Sequence, residues 1–559
     1  MFLVIVLTFV AALPSRAADR AMARASHAMV VCADKRAADI GIRILKNGGN
    51  AVDAAVAVGF ALAVVYPEAG NIGGGGYLLV RKSNGDATVV DFREKAPKSI
   101  AKSMFLDPEG KLTSASVTGH LAAGVPGTVA GLEKAWQSFG SKPWRDLVSP
   151  AVDLAREGTL VDDHLAHSFE EYLNSLSGFR TTKEVLTKSG TSYREGDTLR
   201  QPDLATTLTR IRDEGSSDFY RGTTARLILE EMKRGHGAIT SEDLESYHPI
   251  LRTPLVGRYR GYEIVCPPPS SSGGVCLLEL LNIVEGFDLA SMGFHSSLAA
   301  HVMAEAMRRV YADRAESLGD PDYVRNPVDT LVSKNYAAEC RAELDIGRAS
   351  VSQRGGSRLR HVREGNHTTH YVVIDESGCI ASVTYTLNDL FGSKVVVGGA
   401  GFLLNDEIDD FSVAPDQGNQ FGLLGSYANA LGPEKRPLSS MCPVVVLHDG
   451  KPLMALGARG GAKIITAVFQ TIVNVLDFGM NLQEAVDAPR FHHQWFPDTL
   501  VYEKYCFPED VARNLRSMGH ALRETDKPLG EIEALWIDPA TGWRRGAPDP
   551  RDDGIAVGY

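Results

Sequence analysis

The stretch Asn366-His367-Thr368-Thr369-His370-Tyr371-Val372-Val373-Ile374-Asp375 changes character partway along, a polar run with two threonines giving way to a β-strand. A turn at Asp375-Glu376-Ser377-Gly378 and a second run rich in β-branched and aromatic residues, Cys379 to Asn388, complete a hairpin. Closing that turn sets Thr368 opposite Tyr385 or Thr386, so hydroxyls at the start of one strand and the end of the other meet. A threonine hydroxyl is a weak nucleophile without a neighbouring base. A threonine that has become a chain N-terminus brings its own base in the α-amine, whose pKa lies near neutrality. The pattern therefore predicts cleavage of the chain before Thr368; hydroxyls that merely decorate an exposed strand are the plain alternative. His367 and His370 are spaced as metal ligands can be, but no cysteine or carboxylate stands with them as a zinc site requires, so no metal is expected.

Just upstream, Gly347 to Glu364 is basic, glycine-rich and non-periodic, a loop from which a cut end could move away. Earlier in the chain, Ala37 to Leu45 has helical spacing. Ala51 to Val65 reads as a second helix, apolar nearly all round, which at that length means burial between layers. Gly73-Gly74-Gly75-Gly76 allows close backbone approach and lacks the Lys-Ser/Thr ending of a phosphate loop. Tyr77 to Lys82 and Ala87 to Phe92 form a hairpin with Arg93 at its end. Leu121 to Phe287 reads as mostly helical, interrupted by Pro267-Pro268-Pro269-Ser270-Ser271-Ser272-Gly273-Gly274. With no G-x-S-x-G in the chain, those serines read as turn residues rather than nucleophiles. Glu407 and Asp410, three apart, share one side of a helical turn and suit either an ammonium ligand or a solvated acidic surface. Val444 to Leu447 is a strand. Gly460-Gly461 precede an apolar helix from about Ile464, which fits an oxyanion site and, equally, simple turn chemistry.

With 559 residues, 44% hydrophobic and 23% charged, the chain can bury a large core and is not a disordered polymer. A net charge of -11 argues against nucleic-acid or anionic-membrane partners and leaves small molecules. The seven cysteines are scattered without a CxxC, so buried thiols are expected rather than a disulfide framework. The apolar run from Met1 to Leu13, followed by Ser15-Arg16-Ala17-Ala18, predicts a signal peptide cut after Ala17, although no Lys or Arg precedes the run. A periplasmic or secreted protein with no membrane span in its mature form is expected.

Taken in order, Thr368-Thr369-His370-Tyr371, Thr386-Leu387-Asn388, Asp409-Asp410-Phe411, Pro437-Leu438-Ser439-Ser440-Met441 and Gly460-Gly461 resemble the γ-glutamyltranspeptidase (glutathione hydrolase) family. So do Asn50-Ala51-Val52-Asp53-Ala54-Ala55, Asp91-Phe92-Arg93-Glu94-Lys95-Ala96-Pro97, Gly124-Val125-Pro126-Gly127 and Ala488-Pro489-Arg490-Phe491. The resemblance implies an α+β fold, a four-layer αββα sandwich of the N-terminal nucleophile hydrolase type. It also implies a precursor that cuts itself between His367 and Thr368 into a large subunit (18–367) and a small subunit (368–559), which remain together as a heterodimer.

In that resemblance Thr368 is the nucleophile, Thr386 orients it, and Gly460 and Gly461 supply the oxyanion hole. Arg93, Ser439 and Ser440 receive the substrate's α-carboxylate, and Asn388, Glu407 and Asp410 its α-ammonium. Phe421 lies on a lid segment, 417–429. No cofactor or metal is implied. The implied donors are glutathione and other γ-glutamyl compounds, with water, amino acids or dipeptides as acceptors. A glutaryl-cephalosporin acylase or poly-γ-glutamate depolymerase on the same scaffold is the near alternative, and an uncleaved exported protein that binds γ-glutamyl ligands the distant one. Two residues depart from the family's pattern: Val372 replaces a serine, and Arg459 stands where proline is more usual and is expected to add positive charge at the pocket rim.

Overall fold

The hairpin at 368–388 lies in the middle of a sheet. A computed structural model describes residues 22–353, 368–414 and 417–559; the expected signal peptide, His367 and much of the 347–364 loop lie outside them. The strands that matter are β1 (Ala23–Ala25), β2 (Met29–Cys32), β3 (Gly75–Arg81), β4 (Ala87–Asp91), β5 (Ile250–Arg252), β6 (Leu255–Tyr259), β7 (Tyr262–Cys266), β8 (Thr368–Ile374), β9 (Ile380–Thr386), β10 (Val444–His448), β11 (Lys451–Arg459), β12 (Glu531–Ile537), β13 (Arg544–Pro548) and β14 (Ile555–Gly558). They form two seven-stranded sheets, ordered β14-β2-β8-β9-β3-β4-β5 and β1-β13-β12-β11-β10-β7-β6. The β8–β9 register pairs Thr368 with Thr386 and Ile374 with Ile380.

Alternation along the strands decides which face meets what. Met29 and Val31, Tyr77 and Leu79, and Val372 and Ile374 point into one core with Val444, Met454, Leu456 and Ile532 of the other sheet. Their neighbours Val30, Leu78, Val80, Tyr371, Val373, Val383 and Tyr385 point into a second core with helices α1 (Lys35–Lys46) and α2 (Ala51–Val65). Every residue of α2 is buried, as its all-round apolar surface requires. The hydroxyls of Tyr371 and Tyr385 donate to the carbonyls of Ala55 and Gly59 on that helix, each at 3.0 Å, and so tie the hairpin to it. The outer face of the second sheet is covered by α3 (Gly273–Val284) and α5 (Lys463–Leu476), α4 (Ser297–Ser317) packs on α3, and apolar residues of all three join the first core.

The largely helical reading of 121–287 holds for most of that stretch and is interrupted by β5, β6 and β7. β6 and β7 pair with each other. They are joined at Arg260 (φ 51°) and Gly261 (φ 86°), both left-handed as a two-residue I′ hairpin turn demands. The Arg-Gly pair carries a weaker turn signal than Asn-Gly, and the strands are only five residues each. All seven cysteines are buried and free.

Candidate active site

One cleft is lined by Arg93, Thr368, Thr386, Asn388, Asp410, Phe421, Ser439, Ser440 and Gly461, with Leu423, Met441, Ala462 and Ile464. These residues come from seven separate stretches of chain. Glu407 stands behind Arg93 and Gly460 beside Gly461, both just off the surface of the cleft.

At its floor the Thr368 hydroxyl donates to Thr386 Oγ1 at 3.3 Å, while the Asn388 N–H donates to the same oxygen at 2.9 Å. Asn388 adopts φ 84°, and its side-chain amide donates to the Asp406 carbonyl at 3.0 Å. The amide oxygen of Asn388 therefore remains as the acceptor end. The glycine run explains how this corner closes: a Cβ on Gly74 would stand 1.9 Å from the Thr386 carbonyl oxygen, and one on Gly76 2.3 Å from that of Thr384. His370 is turned the other way, its Nδ1 at 2.8 Å from Thr384 Oγ1 and its pKa lowered by burial to about 3. A neutral imidazole packed in the sheet is neither a base nor a cation here.

Arg93, 1% exposed, holds Glu407 at 2.6 Å, Asp410 at 2.5 Å and Glu94 at 3.5 Å, and its Nε donates to the Pro437 carbonyl at 3.1 Å. The residues expected to receive opposite ends of a zwitterion thus neutralise one another. Burial works against the charge on Arg93, but Glu407, Glu94 and Asp410 more than compensate and hold the guanidinium above its ordinary pKa. Three carboxyls share one guanidinium, and the imbalance shows: burial pushes Glu94 up to about 8 and Glu407 well above the carboxylate range, with Arg93 pulling both the other way. Glu407 touches Arg93 without an aligned hydrogen bond, so its oxygens retain acceptor capacity.

The neighbouring acidic turn, Glu407–Asp410, holds the segment above it. Asn419 donates to Asp410 Oδ1 at 2.9 Å, the Gln420 N–H to Asp409 at 2.7 Å and the Gln420 amide to Asp406 at 2.8 Å. This sets Phe421 against Gly461, where an added Cβ would lie 3.3 Å from the ring. Gly460 (φ 131°) and Gly461 (φ 57°) sit where β11 turns into α5, in backbone conformations that favour glycine.

Arg459 does not reach the rim. Its guanidinium is buried on the far side, paired with Glu531, at 3.4 Å from Asp552 and 3.6 Å from Glu68, and lies over the Tyr66 ring at 5.6 Å. Cross-strand pairing with Glu531 directs the side chain there, away from the cleft.

The serine loop is the turn the sequence suggested, and it braces the Ser439–Met441 wall from behind. Ser270 bonds Tyr77 at 2.7 Å and Asp91 at 3.1 Å, Ser271 donates to the Met441 carbonyl at 2.6 Å, and Ser272 donates through both N–H (2.8 Å) and hydroxyl (2.6 Å) to the Ser439 carbonyl. Arg314 of α4 reaches Ser272 Oγ at 2.9 Å and Ser440 Oγ at 3.1 Å. Sequence reading passed over Arg314; the only signal was a charged residue in a helix that also carries buried Ala304, Met307 and Tyr311.

Two other features lie away from this cleft. A larger cavity, about 630 Å³, is bounded by Arg180, Tyr193, Gln201, Arg234 and Gly399 and contains none of the groups described above. His301, Glu305 and His520 bring ligand atoms within 4.8 Å of one another, but the two histidines bond each other at 2.8 Å and Glu305 is already matched by Arg308 and Arg309.

The mixed α/β fold is shared with acylases and transpeptidases. Cephalosporin acylase from Bacillus halodurans superposes with a TM-score of 0.86 at 28% identity over 99% of each chain. The gamma-glutamyltranspeptidase of Helicobacter pylori gives 0.55 at 45% identity over 56% of this chain and 90% of that one. The family model described as Gamma-glutamyltranspeptidase matches residues 37–559. The Glutathione hydrolase proenzyme of Escherichia coli (strain K12) is 46% identical over 541 residues, 96% of this chain and 92% of that one. The chain belongs to the gamma-glutamyltranspeptidase family.

Proposed function

We propose that this protein is a self-processing γ-glutamyltransferase and glutathione hydrolase built as a four-layer αββα sandwich. It is made with a signal peptide ending at Ala17, exported, and cut before Thr368 into segments 18–367 and 368–559 that stay together. The observation that carries the reading is the meeting of Thr368 and Thr386 hydroxyls in the same cleft as Arg93, Asp410, Ser439 and Ser440. Because Arg93 comes from the first segment and Thr368 opens the second, neither segment holds the site alone.

Thr368 Oγ adds to the γ-carbonyl carbon of the donor as its proton passes to the Thr368 α-amine. The oxyanion so formed is received by the backbone N–H groups of Gly460 and Gly461. Collapse breaks the C–N bond, the leaving amine takes the proton back from the ammonium, and a γ-glutamyl ester remains on Thr368. Water or an acceptor amine then attacks this ester with the same base. Thr386, fixed by the Asn388 N–H, keeps the nucleophile's rotamer. The donor's α-carboxylate takes over Arg93 and the serines, and its ammonium takes over Glu407, Asp410 and the Asn388 oxygen, so the ion pairs of Arg93 are exchanged rather than broken.

Likeness to a cephalosporin acylase favours a second reading with a glutaryl donor. Such a donor has no ammonium and would leave Glu407 and Asp410 without a counterpart. Rates on γ-glutamyl-p-nitroanilide and glutaryl-p-nitroanilide decide between them: faster release from the γ-glutamyl compound is expected, and equal or faster release from the glutaryl compound overturns the assignment.

A further inference from the structure

Arg314 is 4% exposed, and among the described residues its guanidinium bonds only the hydroxyls of Ser272 and Ser440 and forms no ion pair. A buried guanidinium without a carboxylate is costly, and Arg93, by contrast, is already engaged by three acids. The polarity of the hydroxyls follows from hydrogen-bond bookkeeping. Arginine only donates, so Ser272 accepts from Arg314 Nε and spends its single proton on the Ser439 carbonyl. Ser440 accepts from Arg314 Nη2, which leaves its proton to be donated elsewhere, and Ser440 lines the cleft. Ser439 Oγ accepts from the Met441 N–H at 3.1 Å and is likewise left to donate. Both serines are thereby set as donors, the polarity an anion needs. One turn earlier on the same helix, the Tyr311 hydroxyl donates to the carbonyl of Ala462, next to Gly461, so α4 braces both walls of the cleft.

We propose that Arg314 is a positioning residue for specificity: through Ser440 it makes the pocket select a donor with a free α-carboxylate. This rests on the γ-glutamyl reading above. The test compares γ-glutamyl-p-nitroanilide with its α-carboxamide analogue on the processed enzyme. Arg314→Met is expected to raise KM for the acid by about tenfold or more while KM for the amide changes less than about twofold, with Arg314→Lys in between. In a cycle with Ser440→Ala, the double variant is expected to be no worse on the acid than the poorer single one. Parallel losses on acid and amide, or additive losses in the cycle, would overturn the role given to Arg314. If Arg314→Met is not processed into two chains, Arg314→Lys carries the same comparison. Wild-type enzyme that turns over neither compound would sink the γ-glutamyl reading itself, a separate outcome.

Discussion

Replacing Arg93 with Met removes the one cation that Glu407, Asp410 and Glu94 share while keeping most of the side-chain volume. The three carboxyls lie at 2.6, 2.5 and 3.5 Å from the guanidinium, which is 1% exposed, so water cannot take its place without opening the site. Breaking such a buried arrangement from one side costs about 3–5 kcal/mol. At roughly 2.1 cal/mol/K per residue, cooperative unfolding of 559 residues carries about 1.2 kcal/mol/K, so Tm should fall by about 3–4 °C at pH 8. The loss has a pH signature. Arg93 pulls Glu94 and Glu407 down against burial, so without it these two glutamates rise further above their unfolded values near 4.5, Glu94 starting already at about 8. A group with a raised folded pKa contributes stability that is present below the unfolded value and lost as pH rises through the folded one. Between about pH 4.5 and 8 the Glu94 contribution falls in parallel in both proteins and above about pH 8 it levels off in wild type alone, so the deficit of Arg93→Met should widen above about pH 8, as differential scanning calorimetry from about pH 6 to 9.5 would reveal. A variant as stable as wild type at pH 8, or a deficit that does not change with pH, refutes the cluster as described.

Thr386→Val keeps the shape but removes the acceptor of the Asn388 N–H and the partner of Thr368. One buried unsatisfied donor at about 1–3 kcal/mol predicts roughly a 10- to 100-fold fall in kcat and a matching delay in self-cleavage, with Thr386→Ser recovering most of it. Unchanged kcat in Thr386→Val would remove Thr386 from the mechanism. Gly74→Ala would drive a methyl to 1.9 Å from the Thr386 carbonyl, a backbone group that cannot swing aside, so stability should fall by about 1–3 kcal/mol or more and processing should slow; normal processing would mean the corner is softer than it looks. Burial pushes Glu94 up to about 8 and Glu407 well above the carboxylate range, so negative charge beside Arg93 grows as pH rises through about 8, and KM for a γ-glutamyl donor should drop between about pH 6.5 and 8.5 while the donor's amine stays protonated. A flat KM over that range would contradict the ammonium subsite.

The hairpin was legible because a period of two admits few registers once the turn is located: Thr368 had only Tyr385 or Thr386 to face, and the structure selects Thr386. Helix α2 was legible for a similar reason, since fifteen residues apolar all round have nowhere to go but between layers. The pairing of Arg93 with Glu407 and Asp410 was not, because their charges were visible but not that they meet across more than 300 residues of chain. Arg459 shows the same limit: its charge is plain in the sequence, whereas its direction is set by the strand that pairs with β11. Ser272 and Arg314 are 42 residues apart, and nothing local marks them as partners.

In the mechanism proposed above, Thr368 becomes the first residue of a new chain. Mass spectrometry with N-terminal sequencing of the purified protein tests it directly: a fragment beginning Thr-Thr-His-Tyr is expected from wild type, and an uncut chain without turnover from Thr368→Ala. A wild-type protein that remains in one piece and still hydrolyses γ-glutamyl-p-nitroanilide, or a fragment that begins at another residue, would contradict it.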